Sequence, residues 1–187
     1  MNWYVRSKIF LMSGEKKEYG WFSLPAPSKT KRKIAEFAKK IKKNDLYVDE
    51  EDWHGYGIEK NSHITVKYGI LTGNTDEINK VLKGEKGGTV ELDKIDLFEN
   101  DDFDVLIIRV KSKDLNRINK KISDNIKNED KYPKYQPHMT IAYLKKGKGE
   151  EYKKLAIEYF ELDDFSFDFD SILFEDKFNE ETEIKLC

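Results

Sequence analysis

One short phrase occurs twice in this chain, and the fold has to accommodate both copies. The first is His63-Ile64-Thr65-Val66-Lys67-Tyr68 and the second His138-Met139-Thr140-Ile141-Ala142-Tyr143. Each is a His-x-Thr set in an alternating run, the pattern of a β-strand. Residues i and i+2 of a strand point to the same face. His63 therefore shares a face with Thr65, and His138 with Thr140. Ile64, Val66, Tyr68 and Met139, Ile141, Tyr143 read as the buried side. The histidines lie 75 positions apart, at 63 and 138 of 187 residues, close to one half-chain.

The segments around each copy repeat in kind. Tyr19 to Leu24 reads as a strand, with Phe22 and Leu24 toward the core and Tyr19, Trp21 and Ser23 away from it. Pro25 and Pro27 end it. Ser28 or Thr30 is placed to cap a helix whose Ile34, Phe37, Ala38 and Ile41 fall at helical spacing. A loop-rich connection from Asn44 to Ser62 leads to the first His-x-Thr strand, which ends near Gly69. Thr75 is expected to cap a short helix closed by Gly84, and Gly87-Gly88 opens a strand from about Thr89 to Phe98. The order then restarts. Asp104 to Lys111 is a strong strand, and a helix from Ser112 or Asp114 carries Leu115, Ile118, Ile122 and Ile126. A loop with Pro133 and Pro137 precedes the second His-x-Thr strand. A helix from about Glu150 presents Tyr152, Leu155, Ala156 and Tyr159. A last strand region spans Phe165 to Glu175, with an edge strand over Glu183 to Leu186. Each half thus reads strand, helix, His-x-Thr strand, helix, strand. This is a duplication of architecture and not a short-period solenoid. Two lobes related by a pseudo-twofold would bring the equivalent strands face to face across a cleft.

Length and charge bound the function. A chain of 187 residues suits one domain. The net charge of −2 comes from interspersed lysines and acids. It argues against a nucleic-acid coat or a membrane-surface protein, and against tracking along long nucleic acid. The single cysteine, Cys187, supports neither a disulfide framework nor a thiolate metal site, and points to a reducing cytoplasm. No signal peptide or membrane-length apolar run is read. A monomer or weak oligomer is expected.

Two imidazoles converging on one substrate suit acid–base work near neutral pH, one accepting a proton and the other donating. Two threonine hydroxyls can donate to nonbridging phosphate oxygens, where charge grows in the transition state. Two histidines without carboxylates or thiolates at ligand spacing make an incomplete zinc site, so neither metal nor other cofactor is expected. The third histidine, His54, sits in a Trp53-His54-Gly55 loop without a partner motif and reads as structural.

The paired motifs resemble the two-histidine phosphoesterase superfamily. The resemblance implies an α+β, bilobal, duplicated fold, with two antiparallel sheets flanking a central cleft and helices outside. The stretches from Gly57 to Gly69 and from Tyr135 to Tyr143 are further similar to those of the bacteriophage anti-CBASS nucleases, which destroy cyclic di- and trinucleotide alarm signals. Ser62 departs from the proline that often precedes the first histidine there, and the arm before Tyr19 has no counterpart. The resemblance implies a metal-independent attack of a ribose 2′-hydroxyl on the adjacent 3′–5′ phosphodiester. His63 and His138 would share the acid and base roles in an order left open, with Thr65 and Thr140 on the phosphate. For the bases and remaining phosphates the candidates are Tyr19, Trp21, Lys67, Phe98 and Glu175. Each of the last four has a plainer alternative: packing under the arm for Trp21, solvation for Lys67, core packing for Phe98 and a surface acid for Glu175. Two rival functions remain: a related enzyme acting on RNA ends or 2′,3′-cyclic phosphates, and a sponge that binds cyclic nucleotides without cutting.

Overall fold

The computed structural model describes residues 19–48, 57–129, 132, 134–160 and 166–186. The arm before Tyr19, the Trp53-His54-Gly55 loop, Pro133, Phe165 and Cys187 lie outside the described residues. Among the described residues eight strands and four α-helices follow in chain order: β1 (Gly20–Pro25), α1 (Ser28–Ala38), β2 (His63–Ile70), α2 (Thr75–Leu82), β3 (Gly88–Glu99), β4 (Phe103–Lys111), α3 (Lys113–Asn125), β5 (His138–Lys145), α4 (Gly149–Tyr159), β6 (Ser166–Phe169), β7 (Ser171–Glu175) and β8 (Glu181–Lys185).

The strands form one antiparallel sheet in the order β6-β3-β4-β5-β2-β1-β7-β8. It consists of two four-stranded halves that meet between β5 and β2, where Ile64 pairs with Met139. The α+β, duplicated, bilobal architecture expected from the sequence is therefore present. The two His-x-Thr strands differ from expectation in lying side by side, rather than facing one another. Ile64 and Met139 each follow their histidine, so equivalent residues pair with each other. A pseudo-twofold axis must pass through that pair.

The third strand of each half crosses over. β3 closes the first half of the chain yet pairs with β4, and β7 closes the second half yet pairs with β1. The single strand expected over Phe165 to Glu175 is divided at Asp170. β6 runs on β3 at one flank of the sheet, and β7 runs on β1 near the other. One residue reaches only about 3.5 Å. The sheet must therefore curl until its flanks approach each other at Asp170.

The two inner strands diverge on either side of Ile64–Met139, which would leave backbone groups unpaired. The connection after α1 covers β5: Glu59 N–H donates to Ile141 O (3.0 Å), Tyr143 N–H to Gly57 O (2.7 Å) and Tyr47 N–H to Tyr143 O (3.0 Å). The connection after α3 covers β2: Leu71 N–H donates to Lys127 O (3.1 Å) and Glu129 N–H to Gly69 O (2.8 Å). Each half thus seals the other's inner edge.

Helices cover one face of the sheet. Phe22, Leu24, Ile64, Met139 and Leu106 pack there with Ile34 and Phe37 of α1, Ile118 and Ile122 of α3, and Tyr152 of α4. Several caps differ from the sequence reading. α1 starts after Pro27, and neither Ser28 nor Thr30 caps it. Asn74, one residue before Thr75, accepts from the Asp76 and Glu77 N–H groups. Ser112 caps α3 by accepting from Leu115 N–H (3.1 Å). Leu155, expected on the buried face of α4, is 37% exposed.

Candidate active site

The opposite face of the sheet carries a cleft of about 420 Å³ that both His-x-Thr motifs line. The Ile64–Met139 pair explains their convergence. Counting one residue either way from that pair puts His63 level with Thr140, and Thr65 level with His138, where the two strands begin to diverge.

Both histidines are oriented by the same bond. His63 Nδ1–H donates to the Asn61 carbonyl at 2.7 Å, and His138 Nδ1–H to the Gln136 carbonyl at 2.7 Å. A carbonyl can only accept, so Nδ1 keeps its proton, and Nε2 is the nitrogen that gains or loses one. An aromatic edge meets each ring. Trp21 lies 4.9 Å from His63 between centroids at 68°, and Phe98 lies 4.8 Å from His138 at 84°.

A β-bulge occurs at equivalent places in both halves. The register jumps from Phe22↔Lys67 to Ser23↔Thr65, leaving Val66 extra, and from Leu106↔Ala142 to Ile107↔Thr140, leaving Ile141 extra. A bulge resets the alternation of side chains. For that reason Tyr68 and Tyr143, expected on the core side, line the cleft instead. Tyr143 joins Phe103, Val105 and Ile107 in an apolar patch on this face, with Phe98 packed against it. The carbonyls of the first bulge are held from the other half. Asn119 Nδ2 donates to Val66 O (2.7 Å) and the Tyr135 hydroxyl to Thr65 O (3.2 Å). Burial pushes the Tyr135 hydroxyl far above the usual phenol range, so it stays protonated as a donor.

Of the residues singled out in the sequence, the cleft brings together His63, Thr65, His138, Thr140, Trp21, Lys67 and Phe98. Lys67 is buried to 8% exposure rather than solvated at a strand end. Tyr19 and Glu175 are not part of the lining. The Tyr19 hydroxyl donates to Glu129 Oε2 (2.7 Å) and its ring meets Tyr68, while Glu175 pairs with Trp21 across β7 and β1. Glu59, Asn100, Asn119, Lys134 and Gln136 line the cleft and carried no motif signal. The 75-residue offset that relates the histidines makes Glu59 and Lys134 equivalent positions, as it does Asn61 and Gln136, but does not say which way they point. No cluster of three or more His, Cys, Asp or Glu side chains suited to a metal ion occurs among the described residues.

A family model for the 2′-5′ RNA ligase superfamily matches residues 29–176, most of the chain and both motifs. The chain belongs to this superfamily of two-histidine phosphoesterases. Solved structures agree on the fold. The chain is similar to Usb1 of Kluyveromyces marxianus at 10% identity and a TM-score of 0.60, covering 91% of this chain and 99% of that one. TT0787 of Thermus thermophilus is similar at 11% identity and a TM-score of 0.54, over 90% of this chain and 95% of that one. E. coli LigT complexed with phosphate is similar at 14% identity and a TM-score of 0.53, over 92% and 96%. No curated protein matches the sequence. Both motifs fall within the matched residues, and both histidines repeat one device, a bond from Nδ1 to the carbonyl two residues back. Among the described residues, no helix is long and apolar enough to cross a membrane.

Proposed function

We propose that this two-histidine phosphoesterase is a metal-independent phosphodiesterase that opens cyclic di- and trinucleotides. One arrangement carries the reading: two His-x-Thr pairs related by a pseudo-twofold through Ile64 and Met139, each imidazole held through Nδ1 so that Nε2 does the proton transfer. Nε2 of one histidine takes the proton of a ribose 2′-hydroxyl. The 2′-oxygen forms a bond to the adjacent phosphorus, and the bond from phosphorus to the 5′-oxygen breaks. The other histidine delivers a proton to that oxygen. The products are a 2′,3′-cyclic phosphate and a free 5′-hydroxyl, with atoms and charge balanced. Thr65 and Thr140 donate to the phosphate oxygens as charge develops there. Trp21 and Phe98 offer aromatic edges and faces to bases. The preference for cyclic oligonucleotides rests on the similarity of the two motif segments to the anti-CBASS nucleases, whose role is to remove host alarm signals.

A second reading, action on RNA ends or 2′,3′-cyclic phosphates, is favoured by the superfamily match and by related structures that hold small ligands: Usb1 with uridine monophosphate and LigT with phosphate. A panel of cyclic di- and trinucleotides, 2′–5′ oligonucleotides and RNA 2′,3′-cyclic phosphates, incubated with the protein in EDTA and read by mass, separates the readings. Linear products from the cyclic oligonucleotides are expected, undiminished by EDTA. Cleavage confined to RNA ends selects the second reading, loss in EDTA defeats the metal-free mechanism, and tight binding without products marks a sponge. His63→Ala and His138→Ala should each lower the rate by roughly 10²–10⁴-fold.

A further inference from the structure

The pseudo-twofold makes the two histidines equivalent in backbone and in hydrogen bond, yet their surroundings differ at two equivalent positions. The residue opposite His63 in the β1–β2 ladder is Pro25, and the residue opposite His138 in the β4–β5 ladder is Arg109. Directly opposed strand residues bring their side chains together on one face, with Cβ atoms about 4.5–5.5 Å apart. The second difference lies two residues before Asn61 and Gln136, whose carbonyls hold the rings. There the first half has Glu59 and the second has Lys134, and both line the cleft.

Arg109 closes a ring of contacts around His138. Its Nη1 donates to Gln136 Oε1 at 2.6 Å, and the Gln136 carbonyl accepts from His138 Nδ1–H at 2.7 Å. Its guanidinium lies over the Phe98 ring at 4.5 Å, and Phe98 meets His138 at 4.8 Å. Its Nε donates to Asp96 Oδ2 at 3.0 Å, which fixes the plane of the fork. Asp96 is also approached by Lys94 at 3.5 Å and Lys153 at 3.6 Å, so its charge is more than compensated. Burial raises the Asp96 carboxyl, but the Arg109 hydrogen bond, the Leu97 N–H and the charges of Lys94 and Arg109 outweigh it and hold the group ionised. On the other side, Asn61 N–H donates to Glu59 Oε1 at 3.1 Å while the Asn61 carbonyl accepts from His63. The Glu59 carboxylate is thereby linked to His63 through Asn61.

We infer that Arg109 is a positioning residue that breaks the equivalence of the two histidines: it fixes His138 through Gln136 and Phe98 and disfavours its protonated form, making His138 the proton acceptor and His63 the donor in the proposed cleavage. The assignment of roles rests on the phosphodiesterase reading. Arg109 on β4 stands opposite His138, with Asp96 bound by Arg109, Lys94 and Lys153, while Lys134 on the preceding loop and Glu99 on β3 line the same cleft. Linked to His63 through Asn61 is Glu59, on the loop before β2. Lys67 lines the same cleft. A cation beside an imidazole favours the neutral ring, and carboxylates favour imidazolium.

The test follows the two rings by NMR through a pH titration, together with the pH dependence of kcat/KM on whichever substrate the panel identifies. In Arg109→Leu the His138 midpoint should rise by about half a unit or more while His63 moves less, and the acidic limb of the rate profile should rise with it. Arg109→Lys should restore the midpoint but lower kcat by roughly tenfold, because a point ammonium cannot hold Asp96, Gln136 and Phe98 together. Should the Leu variant not fold, Arg109→Gln carries the same expectation with the polar contacts kept. An unmoved His138 midpoint, or equal movement of both rings, overturns the inference. The NMR midpoints need no turnover, so an enzyme inactive on every substrate would sink the phosphodiesterase reading and leave the positioning role still measurable.

Discussion

At the scale of single residues, the site depends on which atoms are already committed. Nδ1 of each histidine is spent on a carbonyl two residues back in the chain, and that local bond leaves Nε2 as the nitrogen able to exchange a proton. The strand period supplies the adjacent hydroxyl. Under the proposed function, Thr65 and Thr140, one residue either side of the Ile64–Met139 pair, would each donate to a phosphate held between the halves. Thr65→Ala and Thr140→Ala should each lower kcat by roughly 10²–10³-fold, with KM changing much less, if the hydroxyls act on transition-state charge. Steady-state kinetics on the identified substrate checks this, and an effect confined to KM would assign them to ground-state binding. The sequence reading placed these four residues on one face of their strands because that signal is local. It placed Tyr68 and Tyr143 on the wrong face because one extra residue, Val66 or Ile141, inverts everything after it, and no composition marks such a bulge.

At the scale of elements, the bulged strand β2 is held by side chains from the other half. Val66 O has its bond from Asn119 on α3, and Thr65 O from Tyr135 on the loop before β5. Asn119→Ala leaves a part-buried carbonyl without that donor and should cost about 1 kcal/mol, read from denaturant unfolding. Since Thr65 is next to the released carbonyl, activity should fall as well. A second clasp joins the segment after α1 to α4. The Tyr152 hydroxyl donates to Asp45 Oδ2 (2.8 Å) and accepts from Lys42 N–H (3.0 Å), and Lys148 lies 3.3 Å from the same carboxylate. The Tyr152 bond, and then Lys148 and Lys42, hold the Asp45 carboxyl below its usual range in spite of burial. A carboxyl depressed in the folded state stabilises it fully above the unfolded value, near pH 4, and loses that contribution as pH falls through the folded value. Asp45→Asn should therefore flatten the acid limb of stability against pH below about pH 4, followed by circular dichroism, with the mutant and parent curves converging toward low pH.

At the scale of the whole molecule, the halves are exchanged with each other. β3 and β7 cross to the opposite half, β6 and β7 are divided only by Asp170, and each helix-to-strand connection seals the other half's inner edge. Neither half retains a complete sheet when separated. A fragment spanning 19–100 should be unfolded alone by circular dichroism and NMR, and should gain structure only on mixing with 101–187; a folded isolated half would refute the interdependence. Heating the intact chain should give one transition rather than two. The charge asymmetry also belongs to this scale. Arg109 and Pro25 are unrelated in any local pattern, and only the shared register opposite the histidines makes them counterparts.

The sequence by itself determined the duplicated order of elements, the strand faces that carry His63, Thr65, His138 and Thr140, and the α+β class, because periodicity and motif spacing are properties of neighbours along the chain. Trp21 was placed on the cleft side by the alternation of its strand; Lys67 and Phe98 also line the cleft, but Lys67 follows the bulge at Val66 and Phe98 had core packing as its plainer reading, so alternation did not decide them. Tertiary structure alone decided that the two motifs lie side by side at Ile64–Met139, that the last strand splits at Asp170, and that Tyr19 and Glu175 stay outside the cleft lining while Glu59, Asn119 and Lys134 enter it. These outcomes depend on strand register, bulges and the curl of the sheet. Such features arise from pairing between residues far apart in sequence, where a shift of one position exchanges a buried face for a reactive one.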